Sequence, residues 1–234
     1  MTGIESPTEM ERGQEVAGLA AWAAALLDDP EVVVLDLETT GLGDDARIVE
    51  IGVVTTDRRV LLDSLVNPGI PMPEEATRHN GITDAMLADR PGFDALVGDL
   101  THALTRRGFG RVGGVQLFGR RVVGWNVKEF DRLVLQRELA GYYLRQGHTD
   151  PQASAEAWLS TMSWEDVMIP VSNWCGEPSR HGGYRWQKLG GPHRGAADCL
   201  AVLDRLAAVA GRPAAVLPAQ PRGDALTGAE EVAR

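Results

Sequence analysis

The chain has 234 residues, a formal net charge of −10 at pH 7 and 44% hydrophobic residues, the composition of an ordinary globular protein with room for one sizeable core. No apolar stretch is long enough to cross a bilayer, the polar start from Met1 to Arg12 lacks a secretory signal's hydrophobic core, and the two cysteines, Cys175 and Cys199, form no metal-ligand pattern. A reduced, cytoplasmic protein with no membrane partner is expected. The negative charge argues against a protein that coats nucleic acid through a basic surface, but leaves room for a local basic track at Arg106-Arg107, Arg111 and Arg120-Arg121.

Val16, Leu19, Ala20, Ala23, Leu26 and Leu27 recur at helical spacing and predict an amphipathic helix ending near Asp28-Asp29-Pro30. Residues 1–30 thus read as a polar tail plus a helix packed on the main domain, residues 31–210. The uninterrupted run Val32-Val33-Val34-Leu35 predicts a strand over 31–37 buried on both faces. Asp36 and Glu38 follow and project from one face, because side chains alternate along a strand. Ending a strand explains Asp36 alone but not the pair. Two carboxylates on one face of a core strand repel each other and resist desolvation, so a cationic side chain or a divalent metal ion has to compensate them. The next Lys or Arg in the chain is Arg47.

Residues 48–56 and 60–66 read as two more strands joined at Asp57-Arg58-Arg59, an antiparallel meander. A loop rich in Pro and Gly follows at 67–73. A helix is predicted over 93–105, after Pro91-Gly92, then a mobile glycine-rich segment at 108–114. Segments 115–118 and 121–124 read as a hairpin or a single bulged strand; 108–120 carries no assignable role. The next helix opens with Asn126 as N-cap and Glu129 completing a capping box, and runs to about Gly141. Asp131 lies between Val127, Val134 and Leu135, inside the apolar arc, while Arg132, Gln136 and Arg137 take the solvated side. The helix dipole explains an acid in the first turn but not its inward direction, which points to function.

Further helices are predicted at 163–174 and 195–210. Asp198 sits on the flank of the stripe made by Ala196, Leu200, Leu203 and Ala207, and Cys199 reads as a small packed hydrophobe. His193 falls in the entry loop of this last helix, beyond Gly190-Gly191-Pro192, where an imidazole near acids can act as a base. His79, His102, His148 and His181 receive no role. From 211 to 234 periodicity fades and a disordered tail is expected. Three antiparallel strands followed by strand–helix alternation predict an α/β fold, a mixed sheet with helices on both faces.

Asp36-Leu37-Glu38-Thr39-Thr40-Gly41, then Asn126-Val127-Lys128-Glu129-Phe130-Asp131, then His193 with Asp198 five residues later resemble the three motifs of DEDDh 3′–5′ exonucleases. That group includes the proofreading epsilon-type subunit of bacterial DNA polymerase. The resemblance runs from about Val32 to Ala210, and three motifs in register are specific where each alone is weak. A DEDDy enzyme would carry Tyr four residues before the last Asp; here Arg194 stands there, which favours the histidine subclass.

The resemblance implies a ribonuclease H-like fold, a mixed five-stranded sheet with three antiparallel strands followed by parallel ones. It implies two Mg²⁺ or Mn²⁺ held by Asp36, Glu38, Asp131 and Asp198, with His193 taking the proton from the attacking water and nucleoside 5′-monophosphates as products. Thr39, Thr40, Gly41 and Leu42 would lie against the terminal nucleotide, with Leu42 wedged under its base, and Asn126 would be a further substrate contact. Arg185-Trp186-Gln187-Lys188 would offer a cation and a stacking surface, although Trp186 and Trp125 read equally well as core. The segment Ala76-Thr77-Arg78-His79-Asn80-Gly81-Ile82-Thr83 resembles the family's His-Gly-Ile-Thr element but inserts Asn80. The expected partner is the 3′ end of single-stranded or frayed nucleic acid, DNA over RNA. The alternatives are a 3′–5′ exoribonuclease of the oligoribonuclease or tRNA-trimming kind, and a proofreading or interaction subunit associated with a DNA polymerase.

Overall fold

In the computed structural model, which describes residues 9–109 and 115–213, Val32–Thr39 forms the central strand, β1, buried along nearly its whole length. β2 (Ile48–Thr55) and β3 (Val60–Leu65) continue from it as the expected antiparallel meander. β4 (Thr105–Phe109) and β5 (Val115–Gly119) pair with each other in a separate ribbon. β6 (Arg121–Gly124) then runs parallel to β1, and β7 (Ser163–Asp166) runs parallel to β6. The main sheet is therefore five-stranded, ordered β3-β2-β1-β6-β7.

Eight helices are described: α1 (Glu9–Asp28), α2 (Glu74–Asn80), α3 (Asp84–Leu87), α4 (Phe93–Leu104), α5 (Asp131–Arg145), α6 (Pro151–Leu159), α7 (Met168–Cys175) and α8 (Gly195–Val209). The alternation of β1 decides how they divide. Val33, Leu35 and Leu37 share a core with Leu100 of α4, Leu135 and Leu139 of α5 and Leu159 of α6. Val32 and Val34 pack instead with Leu26 of α1, Val171 of α7 and Val202 and Leu206 of α8. By the same alternation Asp36 and Glu38 turn toward the α8 side. None of the described helices is long and apolar enough to cross a membrane.

Three local expectations are corrected, and one helix, α6, is present where none was expected. Asn126 is not an N-cap: it sits at φ +63°, residues 127–130 form turns, and α5 starts at Asp131 with Phe130 in the cap position. An N-cap has extended backbone, whereas Asn is one of the few non-glycine residues that tolerates the left-handed region. The helix predicted at 163–174 is β7 followed by α7, because four residues of mixed polarity on an edge strand show no period. α6 lacks an apolar stripe long enough to be noticed, yet its start is marked: Asp150 Oδ1 accepts the Ala153 N–H at 2.9 Å and Pro151 occupies the first turn. Segments 115–118 and 121–124 do not pair with each other, since β5 pairs with β4 and β6 enters the main sheet. Of the glycine-rich segment, residues 110–114 lie outside the described residues, as do residues 214–234 of the expected tail.

Two glycines test this packing with opposite signs. A Cβ on Gly119 would stand 1.9 Å from the Thr161 carbonyl oxygen, whereas one on Gly98, exposed in the middle of α4, meets nothing within 4 Å. Gly119→Ala is expected to lower stability by about 1–3 kcal/mol through overpacking, and Gly98→Ala to raise it by about 1 kcal/mol through helix propensity. Urea unfolding of both variants checks the pair.

Candidate active site

Three elements and one loop bring the acids and the histidine together. β1 carries Asp36 and Glu38, and a bulge in the β1–β2 register falls directly after Glu38. Asp131 opens α5, is 4% exposed, and its Oδ1 accepts the Leu37 backbone N–H at 3.0 Å, which ties the helix start to the strand between the two β1 acids. Asp198 lies buried in the first turn of α8. Glu38, Asp198 and His193, from the loop before α8, each bring one ligand atom to within 4.8 Å of the others.

The electrostatics follow from burial. Asp36 is pushed far above the usual carboxylate range, first by desolvation and then by the charges of Asp131, Asp198, Glu38 and Glu50. Burial likewise raises Glu38 to about 7, against a hydrogen bond from Asn80 and the nearby Arg194 guanidinium, which pull it down. Asp131 rises to about 8, chiefly through burial, and burial also raises Asp198, with His193 opposing it. Asp36 Oδ2 and Asp198 Oδ1 are buried with no hydrogen-bond partner. Arg47, the next cation in the chain, is bound to Glu138 through Nε at 2.6 Å and Nη2 at 3.0 Å and so serves α5 docking instead. Buried carboxylate oxygens left in this condition fit a hard divalent cation, which takes oxygen ligands.

The remaining sequence-predicted residues divide by exposure. Thr39 and Thr40 are buried and shape the turn after β1: Thr39 Oγ1 donates to the Gly41 carbonyl at 2.6 Å, and Thr40 Oγ1 accepts the Arg47 N–H at 3.0 Å. Gly41 has open space where a Cβ would be, and Leu42 beside it is 87% exposed. Asn126 occupies the left-handed turn before α5. Trp125 packs against the α1–α7–α8 core, whereas Trp186 is 66% exposed on the irregular segment between α7 and α8. The two tryptophans thus part company.

Several residues near the site escape sequence reading. Asn80, the inserted residue, is buried, hydrogen-bonds Glu38, and accepts the Ile82 N–H through Oδ1 at 3.0 Å. Its departure from the family's element was the available signal. The His79 ring centroid lies 3.9 Å from that of His193. Asp166, at the end of β7, accepts the Ile169 N–H through Oδ1 at 3.1 Å, while its Oδ2 is buried without a hydrogen-bond partner. Glu50, which is buried, pairs with the partly exposed Arg194 against the start of α8. Nothing in a lone sequence marks these last contacts.

A mixed sheet with acids gathered at the carboxyl end of its central strand defines a ribonuclease H-like nuclease fold. The Exonuclease (RNase_T) family model matches residues 33–108. An uncharacterized exonuclease, CP81, of Escherichia phage 186 is 32% identical over 207 residues, covering 82% of this chain and 95% of its own length. The chain belongs to this exonuclease family. The DNA polymerase III epsilon subunit of Treponema pallidum is 36% identical over 84 residues, 34% of this chain and 39% of the subunit. E. coli Exonuclease I in complex with a dA16 oligonucleotide shares the fold at 16% identity with a TM-score of 0.55, covering 75% of this chain and 40% of that one. The chain therefore spans only about two-fifths of the epsilon subunit and of Exonuclease I.

Carboxyls with folded-state pKa values above their unfolded values favour the folded chain while protonated. That contribution is complete below about pH 4 and is lost as pH rises through about 7 for Glu38 and about 8 for Asp131. The cation-free protein is therefore expected to lose thermal stability between about pH 4 and 8, and to level off above that. Added Mn²⁺ should restore more stability at the upper end, where the ligands are ionised. Melting curves with EDTA or Mn²⁺ check this, and Asp131→Asn should flatten the slope.

Proposed function

We propose that the protein is a DEDDh-type, divalent-metal-dependent 3′–5′ exonuclease that removes nucleoside 5′-monophosphates from single-stranded or frayed DNA. The observation that carries this reading is the convergence of Asp36, Glu38, Asp131 and Asp198, with Asp36 Oδ2 and Asp198 Oδ1 buried and lacking a hydrogen-bond partner and His193 at their edge. The relatives support the substrate class: a phage exonuclease matched along almost its whole length, and a DNA polymerase subunit matched over its shared segment. The catalytic unit is assigned to residues 31–210, with α1 packed against it.

Asp36, Glu38, Asp131 and Asp198 would hold two Mg²⁺ or Mn²⁺, which when bound neutralise charge on the phosphoryl group and on the attacking and leaving oxygens. His193 accepts the proton of the attacking water. The water oxygen bonds to phosphorus, the bond from phosphorus to the 3′-oxygen of the preceding nucleotide breaks, and that oxygen is protonated to a new 3′ end. The terminal nucleotide departs with its phosphate. Leu42, exposed beside the turn after β1, seats against the terminal base, and Trp186 offers a stacking face to the strand behind it. Thr39, Thr40, Gly41 and Asn126 shape the floor on which that nucleotide rests.

Digestion of 5′-labelled DNA and RNA oligomers, with Mg²⁺ or with EDTA, tests the proposal. A ladder receding from the 3′ end is expected, faster on DNA and absent in EDTA. Asp131→Ala should reduce turnover to background with the fold intact, and His193→Gln should lower kcat by about 10²–10⁴-fold, the scale of a lost general base. Turnover in EDTA, or full activity of Asp131→Ala, refutes the assignment. A faster rate on RNA moves the protein to the exoribonuclease reading, because a 2′-hydroxyl contact then governs recognition.

A further inference from the structure

We infer that Glu50 and Arg194 are positioning residues that set where His193 stands and keep Glu50's charge away from the catalytic acids; the inference rests on the exonuclease reading. His193 is a non-glycine residue in the left-handed region, at φ +56°. Such a conformation is strained for a residue with a side chain and persists only where the surroundings dictate it. The next residue shows what dictates it. Arg194 is bound by Glu50 of β2 through Nε at 3.0 and 3.1 Å and through Nη2 at 2.8 Å, and the same carboxylate accepts the Gly195 N–H at 2.9 Å.

The start of α8 has no side-chain cap of its own. Its first N–H is taken by an acid of the sheet, Glu50 of β2, which accepts from Gly195. The backbones meet at this point. A Cβ on Gly52 would lie 2.2 Å from the Gly195 carbonyl carbon, and one on Gly195 would lie 2.8 Å from the Gly52 nitrogen. On the other side of His193, a Cβ on Gly191 would stand 1.8 Å from Asp198 Oδ1. The histidine is thus held between a glycine pressed on Asp198 and an arginine clamped to β2.

The pair also answers a charge problem. Glu50 lies directly opposite Glu38 across the β1–β2 ladder, where like charges destabilise a sheet. The Glu50 side chain is 3% exposed, and its charge reaches Asp36, Glu38 and Asp198. The bidentate guanidinium neutralises it in place. An ammonium group lacks that fork geometry, so Lys at 194 is not an equivalent.

The test compares Arg194→Met, Arg194→Lys and Glu50→Gln with the unaltered full chain. It uses steady-state digestion of a DNA oligomer, melting curves, and side-chain ¹⁵N imidazole spectra of the cation-free protein. Glu50→Gln retains an oxygen to accept the Gly195 N–H, so it separates helix capping from clamping. The expected result for each folded variant is a fall in kcat of about 10²-fold, the scale of an ångström-sized misplacement. KM should change by less than about threefold, Arg194→Lys should recover only part of the rate, and the His193 imidazole signals should shift or split. Wild-type kcat with unchanged His193 signals in Glu50→Gln overturns the inference. So does a loss of rate that merely follows the folded fraction. Should Arg194→Met fail to fold, Glu50→Gln and Arg194→Lys decide. If the unaltered protein digests nothing with Mg²⁺ or Mn²⁺, the exonuclease reading fails on its own, and the imidazole spectra still decide whether the pair positions His193.

Discussion

Asp36 ends a run of fully buried residues, and its carboxylate feels the charges of Asp131, Asp198, Glu38 and Glu50. In water such groups would repel weakly, because a unit pair about 4 Å apart interacts by only about 1 kcal/mol. Out of water the cost grows. The rise of Glu38 to about 7 corresponds to on the order of 3 kcal/mol favouring its neutral form. Since whole domains are stable by only about 5–15 kcal/mol, several such groups cannot be ionised together without an external cation. The repulsion is the constraint to which the neighbouring structure answers.

The answers are local and different for each acid. Asp131 is steadied by the Leu37 N–H, Glu38 by the Asn80 amide, and Asp198 by the backbone of its own helix start together with His193. β2 makes room for α8 by carrying glycine where the helix arrives, so that Gly52 and Gly195 bring backbone against backbone. Cys199 completes this contact. Its thiol is fully buried between the Val34 and Gly52 carbonyls, and burial raises its pKa far above the usual range, so it behaves as a small packed hydrophobe. One side of the sheet thus bears the acids and the α8 docking surface. The opposite side carries an uninterrupted apolar core under α4, α5 and α6.

What the sequence disclosed depended on whether a signal was local. Val32 to Leu35 announces a buried strand because burial on both faces removes every polar residue. Asp131 betrays itself because an acid inside an apolar arc has no solvent to reach. The same rules misplace the start of α5, because Asn126 takes the left-handed region and residues 127–130 turn before the helix begins, a backbone path that no apolar period records. β7 went unread for the same kind of reason. Ser163 to Asp166 is a strand because β6 offers it a partner, while Glu165 binds Arg121 and Trp22, and these contacts are tertiary. Glu50 looks like a surface residue until the register sets it against Glu38, and His79, which stays exposed on α2, meets the His193 ring only through the fold.

Glu50 shows how a further acid can be tolerated beside such a cluster. Under the proposed reading, four carboxylates face two divalent cations, and their formal charges cancel. An unpaired Glu50 would upset that balance, yet α8 needs an acceptor for its first N–H groups, and an anion at a helix N-terminus is favoured by the dipole. A carboxylate already neutralised by an arginine of the same segment satisfies both demands. It caps the helix without adding charge to the cluster, and it does so through the residue that follows His193. Charge balance and histidine placement are then one arrangement, which is why substituting either partner should disturb the chemistry more than the fold.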